Sequence, residues 1–388
     1  VSRRDVARVA VGLAAMRTIP VGAQQPAPAP TSYVGPLTGV EAGLDGRRFD
    51  PVAYALDRLA ATPPKLGFAA ATRTGADAWQ TELRARVLEL MGGLPAAREP
   101  LRPVTLEVRE FPGYRREKVV FDSAPGVSVL VYLLVPTGAT GRRPTMICVP
   151  GHGRGVDDIV GIDDQGRDRT DKAGYQHDFA IQVVEAGMAA VAVEPMGFGC
   201  RRDDVNARQG LSRKACDPVA GAAMMIGQTL LAWRVWDVMR TIDYIATRDE
   251  LDAGRIGCMG ISGGGTVTLF STALEPRIRV AMLSGYLNTF RASVASIVHC
   301  TDNYVPGILN WAEMHDVAGL LAPRPLFVES GEKDPIFPIA ASIESVARVR
   351  QIYEVFGAAD LVEHEVFPDG HVFLGRRGIP FLAKHLAG

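Results

Sequence analysis

Hydrophobic and polar positions change period along the 388-residue chain, and each change predicts a different kind of element. From about Asp50 to Met91 the spacing is helical. Val52, Leu56 and Leu59 make one stripe, and Trp79, Leu83, Val87, Leu90 and Met91 another, closed by Gly92-Gly93 and Pro95. From 104 to 136 the period drops to two. Val104, Leu106 and Val108 alternate with polar neighbours, and Val119 to Phe121 and Val127 to Val135 follow, separated by Pro112-Gly113 and Pro125-Gly126. These read as antiparallel edge strands. After Pro144 strands and helices alternate. Strands are expected at Thr145 to Val149, Met188 to Val193, Arg255 to Ile261, Val280 to Leu283, Pro325 to Ser330 and Val362 to Phe367. Helices are expected at Asp178 to Ala186, Met225 to Thr247, Ile343 to Phe356 and Ile379 to Leu386. Such alternation implies an α/β fold, a mostly parallel sheet with helices on both faces. In such sheets a ligand sits beyond the carboxyl ends of the strands.

Composition narrows the function without naming it. The chain is 47% hydrophobic and 22% charged with a net charge of −1, which suits a large globular core. No basic stripe points to nucleic acid, and no apolar run is long enough to span a bilayer. Nothing in the pattern specifies an oligomeric state. The five cysteines (Cys148, Cys200, Cys216, Cys258 and Cys300) form no C-x-x-C pair. Cys148 and Cys258 lie in strand-like runs and read as small buried hydrophobes. Cys200 and Cys216 lie in loop-like sequence and are a candidate disulfide if the protein is exported. The N-terminus favours export: Ser2-Arg3-Arg4-Asp5-Val6-Ala7-Arg8 reads as a twin-arginine-like signal, with a cleavage candidate at Val21-Gly22-Ala23. The competing reading is a cytoplasmic helix or leader. This divides the chain into a signal over 1–23, a Pro-rich linker over 24–43, a helical extension over 44–103 and a catalytic domain over 104–388.

The chemistry concentrates at Gly260-Ile261-Ser262-Gly263-Gly264, a G-x-S-x-G between an apolar strand and a helical run. That context predicts a nucleophile elbow, a tight turn that holds Ser262 in a strained conformation with its hydroxyl presented. Serine is a weak nucleophile at neutral pH and needs a histidine base oriented by a carboxylate. His371 sits in a Gly-containing loop after the Val362 to Phe367 strand, and Asp334 follows the Pro325 to Ser330 strand. Glu332 and Asp369 compete with Asp334 for the acid. Gly263 opens the helix and offers one oxyanion N–H. The Gly-rich loop Pro150-Gly151-His152-Gly153-Arg154-Gly155 offers the other, from His152. Metal ligation by His152, His177 and His299 has no ligand-like spacing, so no metal is expected.

These residues, together with Glu194 to Gly199, Arg234 to Asp237, His299 to Gly307, Gly331 to Pro338 and Gly370-His371, make the chain resemble the α/β-hydrolase superfamily. The resemblance is to its dienelactone-hydrolase-like and acetyl-xylan-esterase-like bacterial branch, and it runs from about residue 104 onward. It implies an eight-stranded sheet, the triad Ser262, Asp334 and His371, and cofactor-free hydrolysis of carboxylic esters through an acyl-enzyme. Dienelactone hydrolases carry a cysteine nucleophile where this chain has Ser262, so their lactone chemistry does not transfer. The expected substrate is a small-molecule or carbohydrate ester with a small or medium acyl group. The alternatives are a serine peptidase or amidase of the prolyl-oligopeptidase type and a silent binding protein on the same fold. Insertions at 157–175 and 290–314 are expected near the pocket. Gly153, Tyr304 and Trp311 are its candidate lining, against the alternative of a packed cap.

Overall fold

A computed structural model of the protein describes residues 35–36, 44–138, 141–205 and 215–387. The expected signal over 1–23, and all of the linker over 24–43 except Gly35 and Pro36, lie outside the described residues. The chain divides into two units, Val1–Tyr54 and Ala55–Gly388. In the first, Asp50 accepts hydrogen bonds from Val52 N (2.9 Å) and Ala53 N (3.0 Å) and so caps the start of helix α1 (Pro51–Ala60). Pro51 takes the first helical position, where a missing N–H costs nothing.

The second unit is built on one nine-stranded sheet. Its strands are β1 (Val104–Phe111), β2 (Tyr114–Ala124), β3 (Val127–Pro136), β4 (Arg143–Val149) and β5 (Ala189–Val193), then β6 (Leu251–Ile261), β7 (Ile278–Ser284), β8 (Leu326–Gly331) and β9 (Val362–Phe367). Their order is β1-β2-β3-β5-β4-β6-β7-β8-β9. The contacts from β1 through β5 are antiparallel, and those from β5 through β9 are parallel. The sheet thus has one strand more than the eight that the family resemblance implies. The antiparallel edge holds three strands, and outermost β1 has no buried residue.

Alternation of side chains sorts the core onto two faces. Ile147 and Val149 of β4 join one apolar cluster, and Met146 and Cys148 of the same strand join the other. The first cluster is covered by α2 (Arg73–Leu90), α5 (Leu230–Ile245), α6 (Gly263–Leu274), α7 (Met314–Gly319) and α8 (Ile339–Val355), with α4 (Cys216–Met225) leading into α5. The second is covered by α3 (Phe179–Glu185) and α9 (Gly378–Leu386).

Several boundaries differ from the sequence expectation, two of them by five residues. The helix expected over Met225 to Thr247 begins at Leu230. Gly227 takes φ 75°, and Thr229 caps the new helix by accepting from Ala232 N at 3.1 Å. The strand expected over Val119 to Phe121 reaches back to Tyr114, through a charged stretch that looks unlike a strand. Two of those charges, Arg116 and Glu117, are buried, and each has a partner. Arg116 pairs with Asp168 at 2.6 Å, and Glu117 with Arg248 at 2.8 Å. Distant partners compensate them, and a local pattern carries no trace of that.

All parallel strands end on the same side, so the segments after β4, β6, β7, β8 and β9 converge there. Among the described residues no helix is long and apolar enough to cross a membrane. Helix α2 is tied into this unit. Gln80 donates to Gly319 O (3.0 Å) and Ala322 O (2.9 Å), and Arg84 donates to Ala273 O (2.8 Å). Leu83, fully buried beside these bonds, is the test of that integration. Leu83→Ala is expected to cost about 2–5 kcal/mol and to lower the temperature of a single calorimetric transition. A second transition that moves alone would show α2 to unfold separately.

Candidate active site

Strand β6 runs into α6 through Ser262, whose backbone sits at φ 56° and ψ −123°. A non-glycine residue there carries about 1–3 kcal/mol of strain and persists only where its surroundings over-determine it. The neighbours supply that. Ser262 N donates to Ser284 O of adjacent β7 at 3.1 Å. A Cβ on Gly264 would lie 2.0 Å from Val149 O and 2.7 Å from Pro150 O, and one on Gly260 would lie 2.5 Å from Gly264 O. Only bare backbone fits between β4 and the start of α6.

Asp334 and His371 arrive from the ends of β8 and β9. His371 Nδ1 donates to Asp334 Oδ2 at 2.6 Å. The other oxygen, Oδ1, accepts from Ile336 N (2.8 Å) and Phe337 N (3.1 Å), so the backbone of its own loop fixes the carboxylate. The rivals for this place are excluded by position: Glu332 and Asp369 are exposed, and Asp369 accepts from Gly370 N at 2.8 Å. A carboxylate on Nδ1 puts the proton there and leaves Nε2 with a lone pair. That Nε2 is buried and has no hydrogen-bond partner among the described residues. Tyr175 and Phe337 lie nearly parallel to the imidazole, each with its ring centre 5.7 Å away. Gly285, one residue beyond the Ser284 carbonyl that holds Ser262, abuts the ring. A Cβ there would come 3.1 Å from His371 Cε1 and Nδ1. The serine turn and the Asp–His pair are therefore built against the same two residues at the end of β7.

The loop after β4 closes the other side. A Cβ on Gly151 would lie 2.8 Å from Ile261 O and 3.2 Å from Ser262 Cβ, so this glycine lets the loop reach the serine. Gly151 N donates to Gln176 Oε1 (2.7 Å), and Tyr175 OH donates to His152 O (2.7 Å). With its carbonyl engaged by Tyr175, His152 has an N–H with no acceptor among the described residues. Gly263 N, first in α6, has no intrahelical acceptor by helix geometry. These are the two expected oxyanion donors. A Cβ on Gly153 would lie 2.3 Å from Asp158 Oδ2, so this glycine lets the loop pack on itself.

The insertions contribute unequally. The first supplies Tyr175 to the site. The second lines a cleft of about 460 Å³ with Phe290, Val294, Asn303, Tyr304 and Ile308 among its walls. Ser262 and His371 do not line it. Asn303 connects the two places, since it accepts from Thr266 Oγ1 at 2.6 Å in the first turn of α6. Trp311 does not line the cleft either. It lies under Arg86, whose guanidinium is 3.9 Å from the ring centre, and Lys65, at 4.7 Å.

Three groups support the site that the reading of candidate residues did not single out. Glu329, fully buried in β8, accepts from Ser284 Oγ (2.6 Å), Leu374 N (2.9 Å) and Gly375 N (2.9 Å), and so pins the loop after His371. Glu194 fills the space beside Gly155 and Gly199, where any Cβ would come within 2.0 Å of its carboxylate. Burial pushes its carboxyl up to about 8. The third is a charged cluster behind His152. Arg234 donates to Asp302 and, at 3.1 Å, to Cys216 Sγ, while His152 Nε2 lies 3.4 Å from Asp302 Oδ2. Burial alone would raise the Asp302 carboxyl, but the His152 and Arg234 charges hold it well below the usual range. Cys216 faces Cys300 here, not the Cys200 that loop-like sequence suggested as its partner. The motif around Glu194 and the stretch from His299 to Gly307 are the sequence signals that pointed to these loops.

The sequence model of the Abhydrolase family matches residues 44–367. A Bacillus subtilis (strain 168) protein named as a hydrolase, YtaP, is 23% identical over 317 residues, which is 79% of this chain and 100% of that protein. A Bacteroides fragilis structure described as an acetyl xylan esterase superposes with a TM-score of 0.76 at 20% identity, covering 89% of this chain and 96% of the other. A glucuronoyl esterase from Solibacter usitatus superposes with a TM-score of 0.62 at 16% identity, covering 84% and 98%. At these identities the superpositions establish the shared fold.

Burial pushes the Glu329 carboxyl up from 4.5 to about 7. The native state then holds a proton that the unfolded chain has released, so the contribution of this group to stability falls as pH rises through that window. Glu329→Gln is expected to flatten the decline by up to about 1.4 kcal/mol per pH unit, measured by denaturant unfolding at pH 5, 6 and 7. Parallel profiles for the two proteins would contradict the assignment.

Proposed function

The chain belongs to the Abhydrolase family, and we propose that it is a serine carboxylic-ester hydrolase working through an acyl-enzyme. The observation that carries this reading is the His371 Nδ1 to Asp334 contact at 2.6 Å, beside a serine held at φ 56°. Asp334 orients the imidazole, and Nε2 takes the proton of Ser262 Oγ as that oxygen attacks the ester carbonyl. Negative charge gathers on the carbonyl oxygen, and the N–H groups of His152 and Gly263 receive it. Collapse expels the alcohol, which takes its proton from His371. Water then attacks the acyl-enzyme by the same route and releases the acid.

The proposed substrates are small or medium acyl esters, acetyl esters of carbohydrates among them. The support is the burial of the serine. Ser262 is 7% exposed, with Tyr175, Phe337 and Phe198 close to the site's two histidines, which favours a short acyl group over a long chain. Some structural neighbours are named as carbohydrate esterases, which makes a sugar the first alcohol to try.

Hydrolysis of p-nitrophenyl esters from acetate to octanoate is expected to fall with chain length, and Ser262→Ala to lose about 10⁴-fold or more in kcat. Faster release of an amine from a peptide anilide would favour the amidase reading. Absence of turnover, with no labelling of Ser262 by a fluorophosphonate, would favour a binding protein.

The acid is tested separately. Asp334→Asn keeps the shape but favours the wrong imidazole tautomer, with an expected loss of about 10³–10⁴-fold in kcat. Glu332→Gln and Asp369→Asn are expected to stay within about twofold of the parent, since surface changes away from the site usually shift little. A large loss in either would move the acid to that residue.

A further inference from the structure

Behind the oxyanion loop, His152, Cys216, Cys300 and Asp302 bring one nitrogen, two sulfurs and one carboxylate oxygen within 4.8 Å of one another. They come from three separate places: the loop after β4, the first residue of α4, and the short helical turn at Thr301–Asn303 with the residue before it. We propose that this cluster is a structural binding site for a divalent, thiolate-preferring metal ion of the zinc type, outside the groups that would touch the ester.

The distances carry the argument. His152 Nε2 lies 3.4 Å from Asp302 Oδ2 and 3.8 Å from Cys216 Sγ. The first is long for an N–H···O hydrogen bond, which runs about 2.7–3.2 Å. A single Nε2 proton also cannot serve both partners. In a tetrahedral site the metal bonds are about 2.0–2.3 Å, so neighbouring ligand atoms stand about 3.3–3.8 Å apart. Both contacts sit at that spacing. Two cysteines, a histidine and a carboxylate are also a donor set suited to zinc.

The surroundings fit as well. Asp302 Oδ1 accepts from Asn303 Nδ2 at 2.9 Å, which orients the carboxylate. Arg234 donates to Cys216 Sγ at 3.1 Å and to Asp302 Oδ2, a place taken elsewhere by outer-shell donors to metal ligands. With both sulfurs as thiolates, Asp302 ionised, Arg234 charged and the His152 imidazole neutral, as metal ligation requires, the buried group carries two net negative charges. A divalent cation cancels them. Half-buried His152 and Cys300 leave an approach from solvent, while Cys216 and Asp302 are buried. The ion would clamp the His152 loop to α4 and to the turn after Cys300, and so hold the His152 N–H in place from behind.

The test uses the full chain, stripped with a chelator under reducing conditions and titrated with Co²⁺ alone. One equivalent is expected to bind with tetrahedral visible bands and an intense near-ultraviolet thiolate-to-cobalt band, and Zn²⁺ is expected to displace it. Cys200→Ser, outside the cluster, should leave the spectrum unchanged. Cys216→Ser with Cys300→Ser should abolish the thiolate band. Should that pair fail to fold, Cys300→Ser alone, at a half-buried position, is expected to keep the native far-ultraviolet dichroism and to lose about half the band. Any of three results would overturn the proposal: no thiolate band in the reduced parent protein, a band that survives both substitutions, or no cobalt uptake after a Cys216–Cys300 disulfide has been reduced. None of these readouts depends on esterase turnover, so the metal site and the ester reaction fail separately.

Discussion

The arrangement at the carboxyl end of the sheet rests on one close approach of backbone to backbone. Where β6 becomes α6, Gly264 lies against the carbonyls of Val149 and Pro150, with no room for a single carbon between them. That contact brings the first turn of α6 down onto β4 and forces Ser262 into its left-handed conformation. It also sets the loop after β4 beside the serine, so Ser262 and the His152 N–H are positioned by the same steric event. The strain at Ser262 is small beside the burial of Val267, Leu269 and Phe270 on the helix that follows, each of which contributes about 1.5–3 kcal/mol.

The remaining groups are held by buried polar contacts, which cost free energy unless they are satisfied. Each carboxylate at the site meets that condition in its own way. Asp334 takes two backbone N–H groups and an imidazole. Glu329 takes two N–H groups and the Ser284 hydroxyl. Asp302 takes Arg234 and the Asn303 amide. The first meets His371, the second fixes the loop that carries it, and the third lies behind the loop after β4. Removing a partner from any of them would leave a buried charge or lone pair exposed to a low dielectric, which makes these positions sensitive far beyond their immediate contacts.

Much of the site was legible because its chemistry is local. The strand, the G-x-S-x-G and the helix that follows are contiguous, and His371 and Asp334 each follow a recognisable strand. Side chains that must be both apolar and periodic also mark their own elements, so the strands and most helices could be read directly. Reading failed where an element depends on partners far away. Arg116 and Glu117 hid the first half of β2 because their neutralising residues, Asp168 and Arg248, lie far along the chain. Trp311 looked like a pocket aromatic, but in space it meets Arg86 and Lys65 from the α2 region.

The sequence by itself determined the parallel sheet and the strand-to-helix turn at Ser262, and it pointed to His371 and the loop after β4, because these follow from local sterics and hydrophobic period. Only the tertiary structure set Asp334, and neither Glu332 nor Asp369, against His371, since three nearby acids differ in nothing but where their loop points them. It alone joined Cys216 to Cys300, and His152 to Asp302 and Arg234. Contacts of that kind are fixed when distant segments pack, and the spacing of residues along a chain does not encode their distance in space.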